Sequence, residues 1–174
     1  MQVHRLVDNL PGFINSVITI GTFDGVHVGH RKIIEALVEE ARRGNGESVL
    51  VTFHPHPRKI VQPREPLQLI NSLEEKIELL SVTGIDQLVI VPFTQEFSEL
   101  SADEYMEKFL VGKFHPKTVI IGHDHHFGKG RKGNFELLSE NAPRLGFRLI
   151  EISQLVLNEI AVSSTKIRKA LLSS

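Results

Sequence analysis

The feature that most narrows what this chain can become is the apolar, β-branched run Val17 to Phe23, which breaks directly into the glycine-containing stretch Asp24 to Gly29. Such a run reads as a buried strand that ends in a turn. Ile33, Ile34, Leu37, Val38 and Ala41 then recur on one helical face, Gly44 supplies a stop, and Ser48 to Phe53 reads as a second strand. The pattern repeats. Ser72 with Glu75 forms a capping box ahead of Leu73, Ile77 and Leu80, and Gly84 closes that helix before the strand Gln87 to Val91. Ser101 with Glu104 makes a second box before Tyr105, Phe109 and Leu110, and Lys117 to Ile121 is again a strand. A short helix from Asn134 and a strand at Phe147 to Ile152 complete the series. Parallel neighbours need a crossover connection, so this alternation implies an α/β fold with a mostly parallel sheet covered by helices on both faces.

The 174 residues suffice for one domain with a substantial core and are too few for two ordinary ones, so residues 1–174 are read as a single unit. Cysteine is absent, which excludes a disulfide framework and thiolate zinc sites. Met1 to Asn9 lacks the apolar core of a signal peptide, and no run approaches the ~20 apolar residues of a membrane helix, so a soluble cytoplasmic protein with no membrane partner is expected. A net charge of −1 provides no basic field for nucleic acid. The proline-rich stretch Pro55 to Pro66 is expected to be a long surface loop, either functional or a solvated crossover.

Ligands of open α/β sheets bind beyond the carboxyl ends of the strands, where the winding direction reverses. Three segments stand just after strands: Thr22 to His30, Phe53 to Lys59 and Gly122 to Gly133. In the first, Gly21, Thr22, Phe23, Asp24, Gly25, Val26, His27, Val28, Gly29 and His30 run from strand into helix. The glycines permit close backbone approach, the helix start offers unpaired N–H groups, and His27 and His30 add donors, which together make a phosphate cradle. Near the C-terminus Ser163, Ser164 and Thr165 precede a helix through Ile167 and Leu171, with Lys166 and Arg168 in its first turns. A plain N-cap explains the hydroxyls alone; with the two cations the segment forms a second anion-binding helix start.

Residues Gly122 to Gly133 contain the pattern Gly128-x-Gly130-x-x-Gly133, but its first glycine comes several residues after the strand, too late for a dinucleotide fingerprint. A mobile basic loop over a phosphorylated ligand is the expectation there. His123, Asp124, His125 and His126 share that segment, with His54 and His56 elsewhere. Neighbouring positions on one short segment seldom all point at one ion, so no metal held by protein side chains is expected. Walker and Gly-x-Ser-x-Gly patterns are both missing from the sequence.

The pair His27-Val-Gly-His30 and Ser163-Ser-Thr165-x-x-Arg168 resembles the two signatures of the HxGH nucleotidylyl transferase superfamily. The wider strings, Gly21 to His30, Thr52 to Arg58 and Gly122-x-Asp124-x-x-Phe127-Gly128, resemble the adenylyltransferase half of the bacterial bifunctional riboflavin kinase/FAD synthetase family. The resemblance runs from Val17 to Leu171. It implies a Rossmann-like, doubly wound sheet and transfer of AMP from ATP to FMN, giving FAD and pyrophosphate. Catalytic roles fall to His27, His30 and Arg168, and phosphate binding to Gly21, Thr22, Phe23, Asp24, Gly29, Ser163, Ser164 and Thr165. Phe53, His56, Pro57, Arg58, Asp124, Phe127 and Arg131 are assigned to the flavin side. Mg²⁺ accompanies ATP, and most of its ligands are phosphate and water. The position after Asp124 is often aromatic in that family, whereas this chain has His125. The riboflavin kinase domain that usually follows is not in these 174 residues, which suits a separated domain, a truncated product or a stand-alone synthetase. Two alternatives stay open: a related transferase using nicotinamide mononucleotide, phosphopantetheine or CTP, and a non-catalytic flavin-, nucleotide- or metal-binding module.

Overall fold

Side chains on the central strands alternate between two apolar clusters, and that period of two builds a layered molecule. The computed structural model describes residues 1–26, 28–122, 124–153 and 164–173. Six strands form one parallel sheet: β1 (Gln2–His4), β2 (Val17–Ile20), β3 (Ser48–His54), β4 (Gln87–Pro92), β5 (Thr118–Gly122) and β6 (Arg148–Ile152). On one face Ile18, Ile20, Val49, Val51, Val89, Val91, Val119 and Ile121 meet a layer containing Tyr105, Met106, Phe109, Leu110 and Leu138. On the other, Val17, Leu50, Leu88, Ile90 and Ile120 meet Ile34, Leu37, Val38, Ala41 and Leu80. Leu50 is wholly buried; truncating such a residue to alanine costs about 2–5 kcal/mol.

The helices that cover the sheet are α1 (Val28–Arg43), α2 (Pro57–Val61), α3 (Leu73–Ser81), α4 (Gln95–Ser98), α5 (Ala102–Glu104), α6 (Gly112–Phe114), α7 (Phe135–Leu145) and α8 (Ser164–Ser173). Local chemistry sets their starts. Ser72 Oγ accepts from Glu75 N at 3.1 Å, Asn134 Oδ1 accepts from Leu137 N at 2.9 Å, and the Ser101–Glu104 box is formed in both directions. Among the described residues no helix is long and apolar enough to cross a membrane.

Spatial strand order is β1-β4-β3-β2-β5-β6. From β2 the chain winds outward through β3 and β4, then returns to the other side of β2 with β5. The reversal therefore lies between β2 and β5, whose carboxyl ends lead into Thr22 and Gly122 respectively.

Several elements differ from the sequence reading. β2 stops at Ile20 because the backbone leaves the extended region at Phe23, where φ is 51°. The proline-rich stretch holds α2, with Pro57 in its first turn and His56 Nδ1 accepting from Arg58 N at 3.1 Å. Glu104 continues into a seven-residue π-helix, Tyr105–Val111, before α6, and this widened turn lays Tyr105, Met106, Phe109 and Leu110 on the sheet. β1 and α4 are additional elements.

Candidate active site

The turn after β2 is built on an unusual backbone. Phe23, Gly25 and Val26 have φ of 51°, 83° and 42°, the left-handed region that bulky and β-branched residues avoid. Neighbouring groups hold it there. Thr22 O accepts from Lys76 Nζ at 2.8 Å and from Thr52 Oγ1 at 3.0 Å, and Gly25 N–H reaches Asn71 Oδ1 at 3.3 Å. A Cβ on Gly25 would meet Ile70 at 2.8 Å, so glycine is required by space as well as by φ. Asp24 is buried, and both its carboxylate oxygens accept from Ile70 N, at 3.1 and 3.2 Å.

Arg168, 144 residues further along, donates through Nη1 to Asp24 Oδ2, and its side chain is only 12% exposed. The start of α8 and the β2–α1 turn, far apart in the chain, thus meet at the reversal of the sheet. Gly29 and His30 lie in the first turn of α1, and the His30 ring tilts against Phe23 with centroids 5.0 Å apart. Ser164 and Thr165 open α8. His27, Ser163 and His123 lie outside the described residues.

After β3, His56 caps α2 with Nδ1, which puts the ring proton on Nε2. Burial lowers its pKa to about 4; Asp24 pulls the other way, while Arg168, Lys76 and Arg58 add to the lowering. A neutral imidazole therefore faces this charged cluster at pH 7. Asp24, His54, His56, Asn71 and Lys76 line one small cleft. Phe53 is packed into the core, its ring 5.5 Å from Phe93 and from Phe97. Pro57 and Arg58 are half-buried in the first turn of α2.

After β5, Asp124 and Arg131 are exposed, and Phe127 is buried, stacked on Tyr105 at 4.7 Å. His125 lies 5.9 Å from Phe127, with burial lowering its pKa to about 4. The loop read as mobile is tied down: Phe127 and Gly133 exchange backbone hydrogen bonds at 3.2 and 2.8 Å, and Lys129 N–H donates to Leu100 O at 2.7 Å. Its basic residues project from a closed turn. Among the described residues no three His, Asp or Glu side chains gather as a metal cage.

Residues 12–166 match the family model described as FAD synthetase. The chain belongs to the FAD synthetase family. Among its relatives is a bifunctional riboflavin kinase/FMN adenylyltransferase of Buchnera aphidicola subsp. Schizaphis graminum, 37% identical over 99% of this chain and 56% of that protein. The protein of the same description from Escherichia coli strain K12 is 34% identical over 89% of this chain and 50% of its own length. The chain thus spans about half the length of the curated relatives it matches. A crystal structure titled macrolide-efflux protein, from Streptococcus pneumoniae, superposes with a TM-score of 0.80 over 97% of this chain and 54% of that one. At 24% identity it bears on the fold alone, a Rossmann-like parallel α/β sheet.

Within this FAD synthetase fold, sequence reasoning missed the groups that hold the turn after β2: Thr52, the Ile70 N–H, Asn71 and Lys76. One signal was readable. Lys76 stands three residues after Leu73 and four before Leu80, on the stripe that α3 turns to the core, where an ammonium has no place unless something pairs with it.

Proposed function

We propose that this chain transfers the adenylyl group of ATP to FMN, giving FAD and pyrophosphate. The observation that carries the reading is the Asp24–Arg168 pair, because it joins two helix starts of opposite chain ends at the reversal of a parallel sheet. The activity named for the relatives supports FMN as acceptor.

In this reaction an oxygen of the FMN phosphate attacks the α-phosphorus of ATP in line, the bond from that phosphorus to the β-bridging oxygen breaks, and pyrophosphate leaves with the electron pair. Such transfers need positioning and charge neutralisation more than covalent help from the protein. His30, in the first turn of α1, and His27, three residues before it in the sequence, hold the α- and β-phosphates as charge develops. Ser163, Ser164, Thr165 and Arg168 hold the β- and γ-phosphates. The loops after β3 and β5, with His56, Pro57, Arg58, Asp124 and Arg131, bind the acceptor. Phe53 and Phe127 act there by shaping the wall from within the core.

Asp24 already accepts from Arg168 and Ile70, so the residues present suit a Mg²⁺ ion that arrives on the triphosphate and keeps water among its ligands. When bound with ATP, such an ion would supply charge neutralisation for the leaving pyrophosphate. Use of ATP supports a cytoplasmic setting.

Incubation with FMN, ATP and magnesium tests the proposal. Separated flavins should show FAD, with one pyrophosphate released for each FMN consumed. No FAD with FMN, but pyrophosphate release with nicotinamide mononucleotide or phosphopantetheine, would move the acceptor and leave the transferase reading intact.

A further inference from the structure

The stretch from Ile70 to Lys76 has no part in the mechanism above, yet three of its groups grip the phosphate turn. Ile70 N–H binds the Asp24 carboxylate, Asn71 Oδ1 takes the Gly25 N–H, and Lys76 Nζ holds the Thr22 carbonyl at 2.8 Å with Thr52 Oγ1 at 3.4 Å. Lys76 is 8% exposed. Burying an ammonium is costly, and a methionine or leucine at this place on α3 would satisfy the core without that penalty. Packing therefore does not explain the residue. Its electrostatic setting does: burial drives the Lys76 pKa down, and the Asp24 charge opposes that shift. Among the described residues two cations attend Asp24: Lys76 from α3, which lines the same cleft and feels its charge, and Arg168 from α8, which donates to it.

We propose that Lys76 is a positioning residue for adenylyl transfer, fixing the Thr22 carbonyl and compensating Asp24, so that Arg168 turns to the phosphates of ATP without stranding a buried carboxylate. This rests on the ATP-dependent reading given above. With Lys76 in place the Asp24 charge stays matched whichever partner Arg168 holds. Without it, Arg168 is bound to Asp24 and withheld from the nucleotide.

A double-mutant cycle on ATP affinity, read by titration calorimetry without acceptor, tests this. Lys76→Met should weaken ATP binding by about 10-fold in the wild-type background and by less than about 3-fold in the Asp24→Asn background, where no carboxylate remains to strand. Lys76→Arg, which keeps the charge, should bind ATP within about 3-fold of wild type. Equal losses in the two backgrounds, or unchanged affinity in Lys76→Met, would overturn the proposal. Should Lys76→Met fail to fold, Lys76→Arg carries the test, and a 10-fold loss there overturns it equally. Because the cycle reads binding, its failure is distinct from a failure of FMN adenylylation: a wild-type protein that binds ATP but makes no FAD refutes the acceptor reading, and the Asp24 coupling is still measured.

Discussion

Asp24 receives the Ile70 N–H, the Arg168 guanidinium and the field of Lys76 while almost fully buried. Breaking a buried pair from one side leaves the partner charge uncompensated, which costs about 3–5 kcal/mol. Asp24→Ala should therefore lower the unfolding free energy read from urea titration by about 3–5 kcal/mol; a change under about 1 kcal/mol would mean that the pair is in effect solvated. His30 sits differently, half-exposed in the first turn of α1 against Phe23. If it acts on the charge of the transition state, His30→Ala should lower turnover by about 100-fold, the loss seen for one oxyanion donor, with melting temperature little changed. Wild-type turnover in that variant would remove His30 from the mechanism.

At the scale of elements, the hairpin-like closure after β5 shows how a stretch that reads as a loose loop is tied by its own backbone hydrogen bonds around a buried ring. Phe127 is pinned between Tyr105 of the π-helix and the backbone of Gly133, where a Cβ would come within 2.3 Å of the ring. The ring cannot retreat, because Tyr105 is itself buried against Phe109 at 5.0 Å. Gly133→Ala should thus cost about 1–3 kcal/mol of overpacking, visible as a lower thermal midpoint. A neutral substitution would show that the closure opens freely. The helix α2 makes the companion case. Its cap is an imidazole, so its acceptor is lost when His56 takes a proton.

That imidazole links one helix to the whole molecule through pH. His56 has an ordinary pKa of 6.5 and a folded value of about 4. Between those values the unfolded chain binds a proton that the folded one refuses, so stability is present above about pH 6.5 and falls as pH drops toward 4. For a partly solvated ring the loss amounts to about 1–2 kcal/mol after screening. His125, lowered to about 4 by burial, acts in the same direction. Melts recorded from pH 7 to pH 4 should show this slope, flattened in His56→Asn, which keeps an acceptor for the Arg58 N–H. Identical slopes in the two proteins would remove His56 as the cause.

Much of the architecture was legible because it is written in local periods. The alternating strands, the capping residues Ser72, Ser101 and Asn134, and the glycine stops all act within a few residues of themselves. The two helix starts were legible for the same reason. What escaped depends on distance. β1 has three residues and owes its strand form to pairing with β4, Phe127 is made a core residue by Tyr105, and Lys76 gains its meaning from Thr22, 54 positions away. No window along the chain contains those partners.

The left-handed backbone at Phe23 and Val26 carries a last consequence. Such a conformation costs roughly 1–2 kcal/mol for each residue with a side chain, and here the core and the grip of α3 sustain it. The conformational search is finished during folding. On the proposed adenylyl-transfer reading, an incoming nucleotide would meet a receptor whose entropy has already been spent, and its own contacts would go into affinity instead of into shaping the loop.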